Sequence, residues 1–198
     1  GYVMDADICI IGAGLSGACV AKTLVSQHNL SVIVIDARNR VGGRLLTAQD
    51  GADLGGAWVW PSTEHSMNSL LNELGTTTVP MHLDGVSMAY TKDGKRHVIP
   101  DGQAGMYAAC GDGAIRVRGG ASTMVKRMLD VEANPKLSIH LGMEVTQIDY
   151  HDGEVVTIKC TEKSAGTMKD RDNDLAIFSC RTVVLAAPPH DRFSTPFT

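Results

Sequence analysis

Aromatic side chains are scarce in this 198-residue chain, at 5%, charged residues reach only 20%, and neither sign of charge is gathered into a run. With a formal charge of −4 and no basic stripe, the footprint of a nucleic-acid binder is missing, so the expected partners are small molecules. The five cysteines are odd in number and contain no C-x-x-C spacing, which argues against a disulfide framework or a zinc site and for a reducing, cytoplasmic setting. The seven histidines form no H-x-x-x-H pair, and no metal is expected. Long apolar runs are also lacking. The stretch from Ile8 to Ala21 is interrupted by Gly12, Gly14 and Gly17, is too short for a bilayer and has no basic segment before it, so neither a membrane span nor a targeting signal is expected. Gly1 stands where a methionine would, consistent with a processed end, an added residue or a fragment, with Met4 an alternative start. Self-association into a homo-oligomer stays open.

What is present is an ordinary apolar fraction, 43%, enough for a substantial core. Asp7 to Ile11 and Val32 to Ile35 read as buried strands flanking a helix from Leu15 to Ser26, the pattern of a parallel sheet covered on both faces. A helix is expected from Pro61 and Ser62 to Leu74. Val86–Tyr90 and His97–Ile99 flank a two-residue hairpin turn at Asp93-Gly94, and Ser122 caps a further helix. Leu137–His140, Val145–Tyr150, Val155–Thr161, Leu175–Ser179 and Thr182–Ala186 read as strands, with a turn at Asp152-Gly153 and a charged loop from Lys163 to Asp174. Cys110, in a glycine-rich stretch without a basic neighbour, is not expected to be reactive.

The first chemical signal is Gly12-Ala13-Gly14-Leu15-Ser16-Gly17, a G-x-G-x-x-G directly after a strand and opening a helix. Such a loop turns tightly, lets backbone approach a pyrophosphate and presents it to helix N–H donors. Asp36 closes the second strand about twenty residues on, where a carboxylate accepts hydrogen bonds from a ribose diol. The pair predicts a dinucleotide, NAD or FAD. The long segment from Ala37 to Pro61 then carries Arg38 and Arg44, suited to phosphate, and the glycine pairs Gly42-Gly43 and Gly55-Gly56.

Taken in order, GAGLSG, Asp36-Ala37-Arg38, Val41-Gly42-Gly43-Arg44 and Asp53-Leu54-Gly55-Gly56-Ala57-Trp58 resemble the FAD-binding N-terminal region of flavin-containing amine oxidases, the monoamine oxidase-like family. The R-x-G-G-R segment is shared with protoporphyrinogen oxidases and carotenoid desaturases. The resemblance resumes at Arg118-Gly119-Gly120-Ala121-Ser122 and ends at Ala186-Ala187-Pro188-Pro189. It implies FAD as cofactor, with Gly55, Gly56, Ala57 and Trp58 beside the flavin, Val145 beside the adenine and Ala187 near the cofactor.

The fold so implied is α/β: a Rossmann-like FAD-binding domain with a parallel central sheet and an antiparallel β-meander, the substrate domain reduced or absent. The expected organisation is an FAD-binding part over 1–80, a shortened hairpin and connection over 81–117, and a continuation of the FAD-binding domain over 118–198. The implied activity is oxidation of an amine to an imine that hydrolyses to an aldehyde, with O2 reduced to H2O2. A desaturase or porphyrinogen oxidase type of flavoenzyme, or a non-catalytic FAD-binding fragment, is the alternative. The family's substrate-side residues have no counterpart in the motifs above, so no catalytic residue is assigned.

Overall fold

A computed structural model describes residues 3–81, 86–99, 113–151, 155–162 and 175–188. In chain order the elements are β1 (Val3–Ile11), α1 (Leu15–His28), β2 (Val32–Asp36), β3 (Trp58–Val59), α2 (His65–Glu73), β4 (Thr78–Pro80), β5 (Ser87–Tyr90) and β6 (Arg96–Ile99). Then follow β7 (Ile115–Val117), α3 (Ser122–Met128), β8 (Leu137–Leu141), β9 (Met143–His151), β10 (Val155–Glu162) and β11 (Leu175–Leu185). The chain divides into two compact units, Gly1–Leu46 with Ser122–Thr198, and Thr47–Ala121.

The first unit is a six-stranded sheet of order β8-β2-β1-β11-β10-β9. Its first four strands are mutually parallel, and β10 and β9 continue the sheet antiparallel, so the expected Rossmann-like sheet with a meander is the observed one. All five residues of β2 are buried, as a strand covered on both faces requires. Alternation along β1 separates two cores. Ile10 faces α1, while Cys9 joins Ile33, Ile35, Val156, Ile158, Cys160, Ala176, Phe178 and Cys180 on the opposite face. Helix α1 meets the sheet through the buried small residues Gly17, Ala18 and Ala21 and ends at Asn29 in the left-handed conformation.

Two strands expected at the end of the chain are one. β11 pairs with β10 through its first half and with β1 along most of its length, so ladder bonds carry it straight through Cys180 and Arg181. Helix α3 begins at Ser122, one position before the expected cap would allow.

The second unit holds a small sheet of order β3-β7-β4 and the hairpin β5-β6. The hairpin loop has three residues, not two: Thr91 N–H donates to Lys95 O, Gly94 N–H donates to Thr91 O, and Gly94 has φ +77°. The Thr91 hydroxyl bonds Asp93, which favours this wider turn. Helix α2 starts at His65 rather than Pro61 because residues 60–64 form their own turn. Trp60 O accepts the N–H groups of Thr63 and Glu64, and the Glu64 carboxylate accepts the Trp60 N–H. The expected turn at Asp152-Gly153, the charged loop over 163–174 and Cys110 lie outside the described residues.

Candidate cofactor site

The carboxyl ends of β2, β1 and β11 lie side by side, with Ile11 in register with both Ile35 and Leu185. The glycine loop leaves β1 there, Gly12 donating to Ile35 O at 2.7 Å while Ala186 donates to Ile11 O at 2.8 Å. Ligands of open α/β sheets bind outside such carboxyl ends. The three glycines are required for different reasons. A Cβ on Gly17 would lie 2.0 Å from Gly12 O, so this glycine lets α1 press against β1. A Cβ on Gly12 would lie 2.9 Å from the Ala186 carbonyl, so this one admits the chain leaving β11. Gly14 has no such internal reason. Its φ is −79°, open to any residue, and among the described residues its Cβ position meets nothing nearer than Gly43 Cα at 3.9 Å.

Ala13, Leu15 and Ser16 complete the loop and the first turn of α1, whose N-cap is Gly14. That 14-residue helix carries no acidic residue in its first turn, so the partial positive charge of its N-terminus is not neutralised there.

Asp36 is buried at 8% exposure and does more than the sequence suggested. Its Oδ2 accepts the Ala13 N–H at 2.8 Å and its Oδ1 accepts the Arg38 N–H at 2.8 Å. The acid therefore ties the glycine loop to the turn after β2 through Ala13, Ala37 and Arg38. The Gly42-Gly43 pair packs on the same loop: Gly42 N–H donates to Ala13 O at 2.8 Å, and a Cβ on Gly43 would lie 3.1 Å from Gly14 Cα. These glycines make a backbone clasp, a role the spacing alone did not reveal.

The guanidinium groups of Arg38 and Arg44 are exposed and make no hydrogen bond or ion pair among the described residues. Arg40, which the sequence did not single out, folds back instead. It donates to Val41 O and Gly43 O at 3.3 and 3.0 Å and so stiffens the clasp. Asn39 was likewise missed. A Cβ on Gly142 would lie 2.4 Å from its Oδ1, so the β8–β9 turn sits tightly on the segment after Asp36.

Val145 lies on β9 opposite Cys160, where the register shifts, and packs partly buried on the core cluster. Ala187 follows β11, its N–H 3.0 Å from the position of a Gly12 Cβ. Gly55, Gly56, Ala57 and Trp58 belong to the second unit, where Gly55 and Gly56 are exposed and Trp58 is 42% exposed. Trp58 meets Trp60 edge to face at 6.1 Å. A surface recess lined by Thr63, Glu64, His65, Ser66 and Met67 shares no residue with the glycine loop. Among the described residues no cluster of His, Cys, Asp or Glu could hold a metal, and no helix is long and apolar enough to cross a membrane.

A G-x-G-x-x-G loop opening a helix between parallel strands, with an acid closing the second strand, defines a Rossmann-type dinucleotide-binding protein. Comparison with known families agrees: a NAD(P)-binding Rossmann-like domain matches residues 10–74, and the flavin-containing amine oxidoreductase family matches residues 102–192. These matches make the chain similar to the flavin-containing amine oxidases and their FAD-binding N-terminal region, and FAD is the cofactor implied. Putrescine oxidase from Kocuria rosea is 37% identical over 97 residues, covering 48% of this chain and 20% of the relative. Flavin-containing amine oxidase A from Canis lupus familiaris is 39% identical over 90 residues, covering 43% and 17%. An L-amino acid dehydrogenase from Synechocystis is 40% identical over 95 residues, covering 46% and 20%. Among solved structures, wild-type putrescine oxidase bound to putrescine superposes with a TM-score of 0.70 at 21% identity, over 95% of this chain and 59% of the other, which shows a shared fold. The matched segments thus span about a fifth of the curated relatives, and the chain is a flavin oxidoreductase relative resembling amine oxidases.

Proposed function

We propose that this chain holds FAD for the oxidative deamination of an amine, with O2 as electron acceptor and H2O2 as product. The observation that carries the reading is Gly14, a glycine whose Cβ would meet no clash among the described residues and whose backbone has no need of glycine. It lies at the N-terminus of α1, in the same unit as Arg38 and Arg44, which are exposed and whose guanidinium groups have no partner among the described residues. A pyrophosphate supplies the missing reason: backbone approach at Gly14, N–H donors from Leu15, Ser16 and Gly17, and charge from Arg38 and Arg44. Asp36 would offer its remaining lone pairs to the ribose, with Ala37 beside it. Val145 is assigned to the adenine, and Ala13, Gly12, Gly42, Gly43 and Ala187 shape the loop. Gly55, Gly56, Ala57 and Trp58 are assigned to the flavin ring. FAD would supply the two-electron acceptor; the chain binds and orients it.

The test is direct. Added FAD should raise the melting temperature and give a yellow protein, and anaerobic amine should bleach it, with peroxide formed on readmitting air. The amine panel includes putrescine, monoamines and L-amino acids, after the names of the relatives. A colourless protein whose melting temperature ignores FAD refutes the cofactor assignment. A yellow protein that no amine bleaches refutes the amine assignment and leaves FAD binding without catalysis.

A further inference from the structure

The loop Leu54–Ala57 has little internal support among the described residues. Leu54 is 68% exposed, Gly55 and Gly56 are exposed, and neither glycine makes a backbone hydrogen bond among the described residues. A glycine pair with no bonds of its own has the largest conformational freedom a chain can have. Yet both ends of this loop are fastened to one segment of the second unit, residues 115–121. At its far end Trp58 and Val59 pair with Arg116 and Ile115 in the β3–β7 ladder. At its near end Asp53 Oδ1 accepts the Ala121 N–H at 2.8 Å and the Thr47 hydroxyl at 2.7 Å, beside the antiparallel bridge between Thr47 and Asp53. The knot is close-packed as well, since a Cβ on Gly120 would lie 2.0 Å from the Thr47 side chain.

The geometry points to Asp53 as a positioning residue for the flavin: its carboxylate holds the start of the Gly55–Gly56 loop in register with residues 115–121, and so fixes the backbone against which the ring rests. This rests on the assignment of that loop to the flavin made above. A loop tethered at both ends has already given up freedom that ligand binding would otherwise have to remove, so the tether acts on affinity. Hydrogen bonds to a charged acceptor are the stronger class, which suits one atom holding two segments 68 residues apart.

The experiment uses the full chain, titrated with FAD by quenching of flavin fluorescence, with amide hydrogen exchange of the 54–59 segment measured in the FAD-free protein. Asp53→Ala should weaken FAD binding by roughly tenfold or more, accelerate exchange in that segment and shift the absorption band of the bound flavin. Asp53→Asn, whose amide carbonyl still accepts both bonds, should bind within about threefold of the wild type. Should Asp53→Ala not fold, Thr47→Val removes one of the two bonds and should give an intermediate loss of affinity with the same faster exchange. Asp53→Ala binding FAD within about twofold of the wild type overturns the inference, as does Asp53→Asn binding no better than Asp53→Ala. A wild-type chain that binds no FAD overturns the flavin assignment itself, and the inference with it; the wild-type titration separates that failure from a tether that does not matter.

Discussion

Alanine at Gly17 and alanine at Gly14 are chemically the same change three residues apart, and they should do opposite things. At Gly17 the new Cβ would sit 2.0 Å from Gly12 O, where ordinary contact starts at 3.4 Å, and the obstacle is backbone. Alanine gains at most about 1 kcal/mol over glycine within a helix. Overpacking costs about 1–3 kcal/mol, with more where backbone must shift, so a net loss of about 2 kcal/mol is expected. For a domain of this size that lowers the melting temperature by roughly 4–8 °C. At Gly14 the Cβ meets only ordinary contact at 3.9 Å, and φ −79° suits alanine. Exchanging glycine for alanine at an N-cap costs about 1 kcal/mol or less, so the fold should hold. FAD affinity should nevertheless fall by roughly tenfold or more, because the methyl group stands where the phosphates approach. The assays are thermal unfolding without FAD and FAD titration below the melting temperature. Gly14→Ala retaining FAD affinity within about twofold would refute the ligand explanation for that glycine, and Gly17→Ala melting like the wild type would refute the packing argument.

Asp36→Ala leaves the buried Ala13 amide and the part-buried Arg38 amide without their carboxylate acceptor; a loss on the order of 2 kcal/mol is expected in urea unfolding, and an unchanged midpoint would show the carboxylate to be structurally idle. Burial holds the His140 imidazole below its ordinary value of 6.5, against Phe178 and with Nε2 unpartnered among the described residues. As pH falls the unfolded chain therefore binds its proton first. The contribution of this site is complete above the unfolded value and is lost below it, and His140→Leu should flatten the slope of stability between about pH 7 and pH 5. Burial pushes the Cys160 thiol up to about 12, and Cys9 is raised by its hydrogen bond with Cys180 and by burial. Alkylation of the folded chain at neutral pH, read by mass, should leave both unmodified; rapid labelling of Cys160 would show that this core opens.

Much of the first unit was readable from sequence because its signals are local. A run such as Val32 to Ile35 can only be a buried strand beside a helix of helical period, and GAGLSG with Asp36 is a one-dimensional signature of a three-dimensional turn. The two- and three-residue strands and the bridges of the second unit were not readable. Trp58–Val59, Thr78–Pro80 and Ile115–Val117 are each too short to show a period, and they become strands only because they pair with one another across the unit. The segment from Ala37 to Pro61, irregular by pattern, hides a tight turn at Ala48–Ala52 and the Thr47·Asp53 bridge for the same reason.

Glycines show the boundary most clearly. Sequence alone determined that Gly12, Gly14, Gly17, Gly42 and Gly43 were special, because side-chain absence repeated at that spacing has few other uses. Only the tertiary structure decided why each is glycine: two admit the protein's own backbone, two clasp the loop, and one, Gly14, meets no clash among the described residues. Asp36 follows the same rule. Its position was written in the chain, but that its carboxylate holds Ala13 and Arg38 depends on strands brought side by side. Residue type and local spacing are carried by the sequence, whereas the partner of a buried polar or close-packed atom is set by which distant segments the sheet places against it.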